Sequence, residues 1–308
     1  MISIDAKHQS SPGGYVMPLD SPSAFNLVPS IETRLKSAVH LARNYILERA
    51  SPGGGFCFYR GYHLEEPNLS DTWHSTRAWT LLTNALLPER AKHIDFVLSQ
   101  GIGSQPFALY HRVRSLQELQ AEDPDAPRVR EAVASLPLTL PHASAPTLQA
   151  SLHALFYSLW LRQHFGLPMA GGHSLGQELQ AMENVEGGFG RPSNLHDTVE
   201  ALRVLEVCGC GVEEKTANFV RRVAVAGFGF RLTETSLSPC LETTCAGIAC
   251  SISLGIPIDY ALDAIDFILA CQTGHGGFAF RPGGLPDLAW THLALETIYD
   301  WLNAQAAP

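Results

Sequence analysis

Charge is scarce in this chain: Asp, Glu, Lys and Arg together make up 17% of its 308 residues. Basic charge is the scarcer kind, with 21 Lys and Arg against 30 Asp and Glu and a net charge of -9. That balance excludes general nucleic-acid binding, which needs clustered cations to displace counterions from phosphate. Long apolar runs are also lacking. The longest, Leu152 to Leu161, is broken by His153 and Ser158 and is too short to span a bilayer, so only peripheral membrane contact stays open. The first twenty residues, MISIDAKHQSSPGGYVMPLD, have no basic segment leading into an apolar run, so no signal or transit peptide is expected. The seven cysteines are odd in number and form no CxxC pattern, which points to a reduced, cytoplasmic chain. What the chain does have is apolar mass, 45% of its residues, enough for a large core.

That mass is arranged in an internal repeat. Gly54-Gly55-Phe56, Gly187-Gly188-Phe189 and Gly276-Gly277-Phe278 are each followed by a polar loop and a helix-period segment, and a degenerate copy starts at Gly227; Phe107, preceded by Gln100, marks an eroded one. Each copy reads as a helix, a glycine turn that permits positive φ, a phenylalanine that anchors the loop in the core, and a second helix. Asp71, Asp197 and Asp287 fall at helix starts, where a carboxylate can cap free backbone N–H groups. Roughly eleven or twelve helices are expected, including 31–48, 71–86, 90–100, 127–136, 146–165, 174–183, 197–208, 213–226, 242–254, 258–271 and 287–303. Strand-like alternation is rare, so the chain reads as all-α. Hairpins repeated this often stack as an open solenoid or close into a ring. The expected organisation is a single domain over 1–308, with an N-terminal extension at 1–28 and an irregular, Pro- and acid-rich insertion or lid at 104–146.

The segment QTGHGGFAFRPGGLPDLAWTHLAL, Gln272 to Leu295, resembles the repeat shared by protein prenyltransferase β subunits and squalene-type terpene cyclases, and the likeness recurs at Gly187–Leu205 and Gly54–Leu82. The resemblance implies an α/α toroid of roughly six helical hairpins in two concentric rings around a central hydrophobic cavity that holds an isoprenoid. Zinc-dependent members place Asp and Cys two residues apart on one inner helix and a His on the last. Aligned on the helix threonines, Cys245 matches the cysteine, Thr243 stands for the Asp and Trp290 for the His, while His292 falls two residues away. No zinc or other metal site is therefore expected, although Mg2+ would accompany a bound diphosphate. Cyclases donate a proton from the middle Asp of a DxDD motif. Here the matching text is Asn194-Leu195-His196-Asp197-Thr198, with His196 at the donor position, and Asn68-Leu69-Ser70-Asp71-Thr72 repeats the frame with Ser70. An imidazolium suits gentler acid/base work than protonation of an isolated alkene.

The candidate catalytic residues are His196 with Asp197, and Asp71 with His74, one turn further along. Their bland alternatives are a helix cap, a polar loop and a surface histidine. Candidate substrate-binding residues are Tyr59, Trp73, Trp79, Phe280 and Trp290 for a prenyl or cationic group, Asp287 and His292 beside them, and Arg191 and Arg281, with Arg60 and Arg231, for a diphosphate. Aromatics at helical spacing also serve as plain core, and loop arginines also bond to nearby carbonyls. The acidic text from Glu118 to Pro127 reads as a solvated loop rather than a metal motif. The function these residues imply is an isoprenoid-processing enzyme, a terpene cyclase-like lyase or isomerase with non-standard acid/base chemistry on a hydrophobic small molecule. The alternatives are a non-catalytic lipid-binding toroid and a diverged prenyltransferase β-like subunit.

Overall fold

The structure is a computed structural model that describes residues 19, 29–59, 65–140, 148–169 and 171–306. Among these residues there are twelve helices and two short two-stranded ribbons: α1 (Pro29–Glu48), α2 (Leu69–Leu82), α3 (Arg90–Ser99), α4 (Pro106–Glu118), α5 (Ala126–Ala134), α6 (Leu148–His164), α7 (Gly172–Gln180), α8 (Leu195–Val207), α9 (Glu214–Arg222), β1 (Ala224–Val225), β2 (Gly229–Phe230), α10 (Leu241–Ser253), α11 (Ala261–Ala270), β3 (Phe278–Ala279), β4 (Pro286–Asp287) and α12 (Leu288–Ala306). Each ribbon is antiparallel, pairing Ala224 with Phe230 and Phe278 with Asp287. Helices α2, α8, α10 and α12 each follow a Gly-Phe loop.

Packing divides the chain into two compact units. The first lies within Arg130–Ala264 and the second within Val16–Val129 and Ile265–Pro308. In the first unit α8 lies between α6 and α10, with α7 against α8 and α9 against α10. In the second, α2 lies between α4 and α12, with α1 against α2 and α3 against α4. The first and last hairpins are thus neighbours.

The repeat has a concrete physical basis at its loops. The threonine hydroxyls of Thr72, Thr198 and Thr291 accept from the backbone N–H groups of Phe56, Phe189 and Phe278 at 3.1, 3.0 and 2.9 Å. The same hydroxyls donate to the carbonyls of Asn68, Asn194 and Asp287 at 2.7, 2.6 and 2.6 Å. All three phenylalanines are fully buried, so every polar backbone group that enters the core beside them needs this partner. The glycines are required by what covers them. A Cβ on Gly54 would sit 2.1 Å from the Lys92 carbonyl oxygen of α3, one on Gly187 2.0 Å from that of Lys215 in α9, and one on Gly276 2.1 Å from that of Leu41 in α1. Each glycine loop is roofed by the backbone of a neighbouring helix, and the loop before α12 is roofed by α1.

Several expectations change at this level. The stretch 104–140, read as irregular, contains α4 and α5, and α4 packs along α2; Pro106 occupies the first turn of α4, where its missing N–H costs nothing. The acidic text after Glu118 is not a solvated loop: Asp123 holds the buried Arg112 guanidinium through two bonds of 2.6 and 2.9 Å. Residues 1–18 and 20–28 of the expected extension, 141–146 of the expected insertion, and Arg60 lie outside the described residues.

Candidate functional site

In the first unit the start of α8 is built by Asn194, not by the aspartate after it. The Asn194 side chain accepts from the Asp197 backbone N–H at 2.9 Å, making Asn194 the N-cap and setting Asp197 in the first turn. Asn68 plays the same part for Asp71 at 2.8 Å, whereas Asp287 is itself the cap of α12 and accepts from the Trp290 N–H at 2.6 Å. Capping therefore explains Asp287 but not Asp197 or Asp71. The freed Asp197 carboxylate takes a 2.6 Å bond from the Asn194 amide, and burial pushes its pKa above the usual carboxylate value against that bond and the nearby His196. Gly190, at φ +96, leaves room for it: a Cβ there would lie 2.1 Å from Asp197 Oδ2.

His196 Nε2 is hidden from solvent, makes no hydrogen bond, and lies 3.6 Å from Glu242 Oε2 of α10. One turn deeper, Glu200 Oε1 meets His153 Nδ1 of α6 at 3.4 Å and Arg203 at 3.1 Å, and burial holds the His153 imidazole towards its neutral form. Glu200, His153 and Glu242 belong to no motif in the sequence. Their only signal is Glu200 and Arg203 on one face of a helix, three residues apart.

In the second unit α2 and α12 assemble another polar cluster. Asp71 accepts from the Phe58 N–H at 2.7 Å and the Asn68 amide at 2.8 Å, and burial raises its pKa. His74 Nδ1 faces His292 Nδ1 at 2.9 Å, and His292 Nε2 lies 3.4 Å from Glu296. His292, two residues from the position zinc ligation requires, turns inward onto α2, where Trp73 packs edge-on at 5.4 Å. Trp73 is core and carries the Arg114 guanidinium over its face at 4.8 Å. The Asp287 carboxyl is pushed up to about 6, chiefly by burial.

The remaining candidates are less drawn together. Phe280 and Trp290 pack at 5.5 Å with Arg281 over Phe280 at 5.5 Å, forming an aromatic patch at the start of α12. Trp79 is structural, its indole N–H bonded to the Ala85 carbonyl at 2.8 Å. Tyr59 is 61% exposed and makes no enclosed wall. Arg191 and Arg281 are exposed, and Arg231 donates to the Arg222 carbonyl at 3.4 Å.

No family model matches the chain, and no curated protein matches it. Solved structures do. Protein geranylgeranyltransferase-I from Candida albicans, complexed with GGPP, superposes with a TM-score of 0.58 at 13% identity, covering 85% of this chain and 91% of that one. A single-residue variant of the type II terpene cyclase MstE from Scytonema, in complex with its substrate geranylgeranyl dihydroxybenzoate, superposes at 0.55 and 11% identity, covering 91% and 99%. The apo form of MstE gives 0.53 at 12% identity, covering 89% and 98%. The chain has the α/α-toroid fold of prenyltransferases and terpene cyclases. No helix among the described residues is long and apolar enough to cross a membrane.

Prenyltransferase-type zinc does not fit these residues. The register is the expected one, since Thr244 and Thr291 occupy matching places four residues after Cys240 and Asp287. Yet the Thr243 hydroxyl donates to the Phe230 carbonyl at 2.8 Å, and Trp290 packs on Phe280. Of the three ligand positions only Cys245, a buried thiol, carries a metal-binding side chain, and a zinc site needs three protein ligands.

Proposed function

We propose that the chain is an isoprenoid-processing enzyme of the cyclase kind, a lyase or isomerase that uses acid/base chemistry at the start of α8 on a prenyl or prenyl diphosphate substrate. The carrying observation is the triplet Asp197, His196 and Glu242. Burial raises the Asp197 carboxyl above its usual pKa, and the imidazole beside it is held near a carboxylate from the adjacent helix. A carboxylic acid is a stronger proton donor than imidazolium by about 2.6 units in reference pKa, so the donor role is assigned to Asp197 and that of acid/base partner to His196, backed by Glu242. The fold supports the substrate class, since the superposed enzymes were solved with GGPP and with a geranylgeranyl dihydroxybenzoate. A cytoplasmic location suits the seven free thiols.

The missing zinc ligands argue against a protein prenyltransferase. They also leave a second reading, a lipid-binding toroid without catalysis, which predicts a thermal shift with prenyl diphosphates and no turnover. The test is turnover of prenyl diphosphates and prenylated aromatics by the wild type, Asp197→Asn and His196→Ala, with far-UV circular dichroism as the check on folding. Positioned acid/base groups contribute about 10² to 10⁴ in rate, and losses of that size are expected for both variants. A loss below about tenfold in a folded variant removes that residue from the mechanism.

A further inference from the structure

In the second unit, α2 and α12 line up three groups that neither zinc nor cyclase chemistry calls for. His74 Nδ1 and His292 Nδ1 stand 2.9 Å apart, and His292 Nε2 stands 3.4 Å from Glu296 Oε2. Two ring nitrogens at that distance share one proton, because two lone pairs repel and two N–H groups collide. His292 is 6% exposed, while His74 is only half-buried. The chain of groups thus has a buried imidazole between a half-buried imidazole and a half-buried carboxylate.

We propose that His74, His292 and Glu296 form a proton relay, with His74 as the outer proton-exchanging group and His292 and Glu296 as positioning residues. In the starting arrangement His74 carries a proton on Nδ1, and His292 carries one on Nε2 towards Glu296. When His74 Nε2 gains a proton, the Nδ1 proton of His74 crosses to His292 Nδ1. His74 is neutral again, and the positive charge rests on His292 beside the Glu296 carboxylate. In the reverse transfer the proton passes back from His292 Nδ1 to His74 Nδ1, and His74 releases one from Nε2. Only N–H bonds form and break, so no other reactant is needed.

The surroundings have the charge such a relay requires. From α2, Arg77 lies 3.2 Å from Glu296 and 3.5 Å from Glu118, and Asp300 of α12 also acts on it. From α4 come Arg114, 3.5 Å from Glu118, with Tyr110 at 5.8 Å from the Trp73 ring and His111 at 6.0 Å from the His74 ring. Two guanidinium groups, Arg77 and Arg114, therefore meet three carboxylates, Glu118, Glu296 and Asp300. One proton on the imidazole pair completes the neutralisation instead of adding surplus positive charge.

The relay is independent of the chemistry assigned to α8, and its readout needs no substrate. Histidine-labelled 15N NMR of the full chain should reveal a single bridging N–H coupled to both Nδ1 atoms, with the two imidazoles titrating as a pair. Glu296→Gln should move the first protonation of that pair down by about one pH unit, since an opposite charge within about 4–6 Å shifts a titration by about one to three. His292→Gln should leave His74 titrating alone, in a single step. Absence of the bridging proton in the wild type overturns the relay whether or not the variants fold. So does a His74 titration that neither substitution moves.

Discussion

The cap of α12 offers a quantitative test of the electrostatics at the loops. Asp287 accepts from the Trp290 N–H at 2.6 Å, yet its carboxyl is raised from 3.8 to about 6 by burial, with the Asp71 charge adding to the rise. The folded chain therefore holds this proton more tightly than the unfolded chain. Its contribution to stability is full below about pH 4, is lost as the pH rises through about 6, and above that the folded state carries an ionised, partly desolvated carboxylate. A shift of about two units corresponds to roughly 3 kcal/mol at about 1.36 kcal/mol per unit. Because the group is only half-buried, solvent screening reduces that to about 1 kcal/mol. Asparagine caps helices as well as aspartate does and does not ionise. Asp287→Asn should thus stabilise the protein by about 1 kcal/mol at about pH 8, or roughly 2 °C in Tm for a chain of this size, and by almost nothing at about pH 4. Urea unfolding followed by circular dichroism across that range is the assay. Destabilisation at the alkaline end, or an equal gain at both ends, refutes the assignment of the cost to the buried charge.

Two further substitutions probe the scaffold. Thr198→Val keeps the shape but takes the acceptor from the buried Phe189 N–H, and should cost about 1–3 kcal/mol in urea unfolding, with Thr198→Ser recovering most of it; a cost below about 0.5 kcal/mol contradicts the role given to the hydroxyl. Asp123→Ala removes the two-bond carboxylate partner of the Arg112 guanidinium, whose side chain is 1% exposed, leaving it Asp125 at 3.7 Å and the Val97 and Gln100 carbonyls, and should cost about 3 kcal/mol. Pairing it with Arg112→Met should restore much of the loss, and a double variant no better than the single one argues against an under-compensated buried charge.

The parts of the fold that are legible in the sequence are those written in local text. Gly-Gly-Phe and the threonine a fixed distance after the cap mark the loops because each loop needs a glycine under a neighbouring backbone and a hydroxyl for one buried N–H. Helix α4 escapes the sequence pattern because Pro106 reads as a breaker although it stands at a helix start, and because the acidic text beyond it gives no sign of Arg112, its partner. The caps of α2 and α8 fall three residues before the aspartates for a related reason: Asn68 and Asn194 reach the N–H groups of Asp71 and Asp197 themselves, and only geometry decides which side chain does so. His74 and His292 are each recognisable as candidates, but residues 218 apart in sequence give no hint that they share a proton.

Matching positions in the two units explain why fold and chemistry separate so cleanly. Counted from the caps, Asn68 and Asn194, the sixth residue is His74 in α2 and Glu200 in α8, and the ninth is Arg77 and Arg203. Both arginines find carboxylates: Arg203 takes Glu200 on its own helix, whereas Arg77, with a histidine in that place, reaches Glu296 on α12. The partner imidazole changes helix as well, His153 coming from α6 in one unit and His292 from α12 in the other. The loop half of each repeat is constrained by backbone groups that must be satisfied in the core, and it can hardly vary. The residues one and two turns deeper answer only to side chains on adjacent helices, so one scaffold carries a carboxylate-centred cluster in one unit and an imidazole-centred one in the other. Exchanging the sixth residue, not the loop, is therefore the change that would alter the chemistry of either unit while leaving its fold in place.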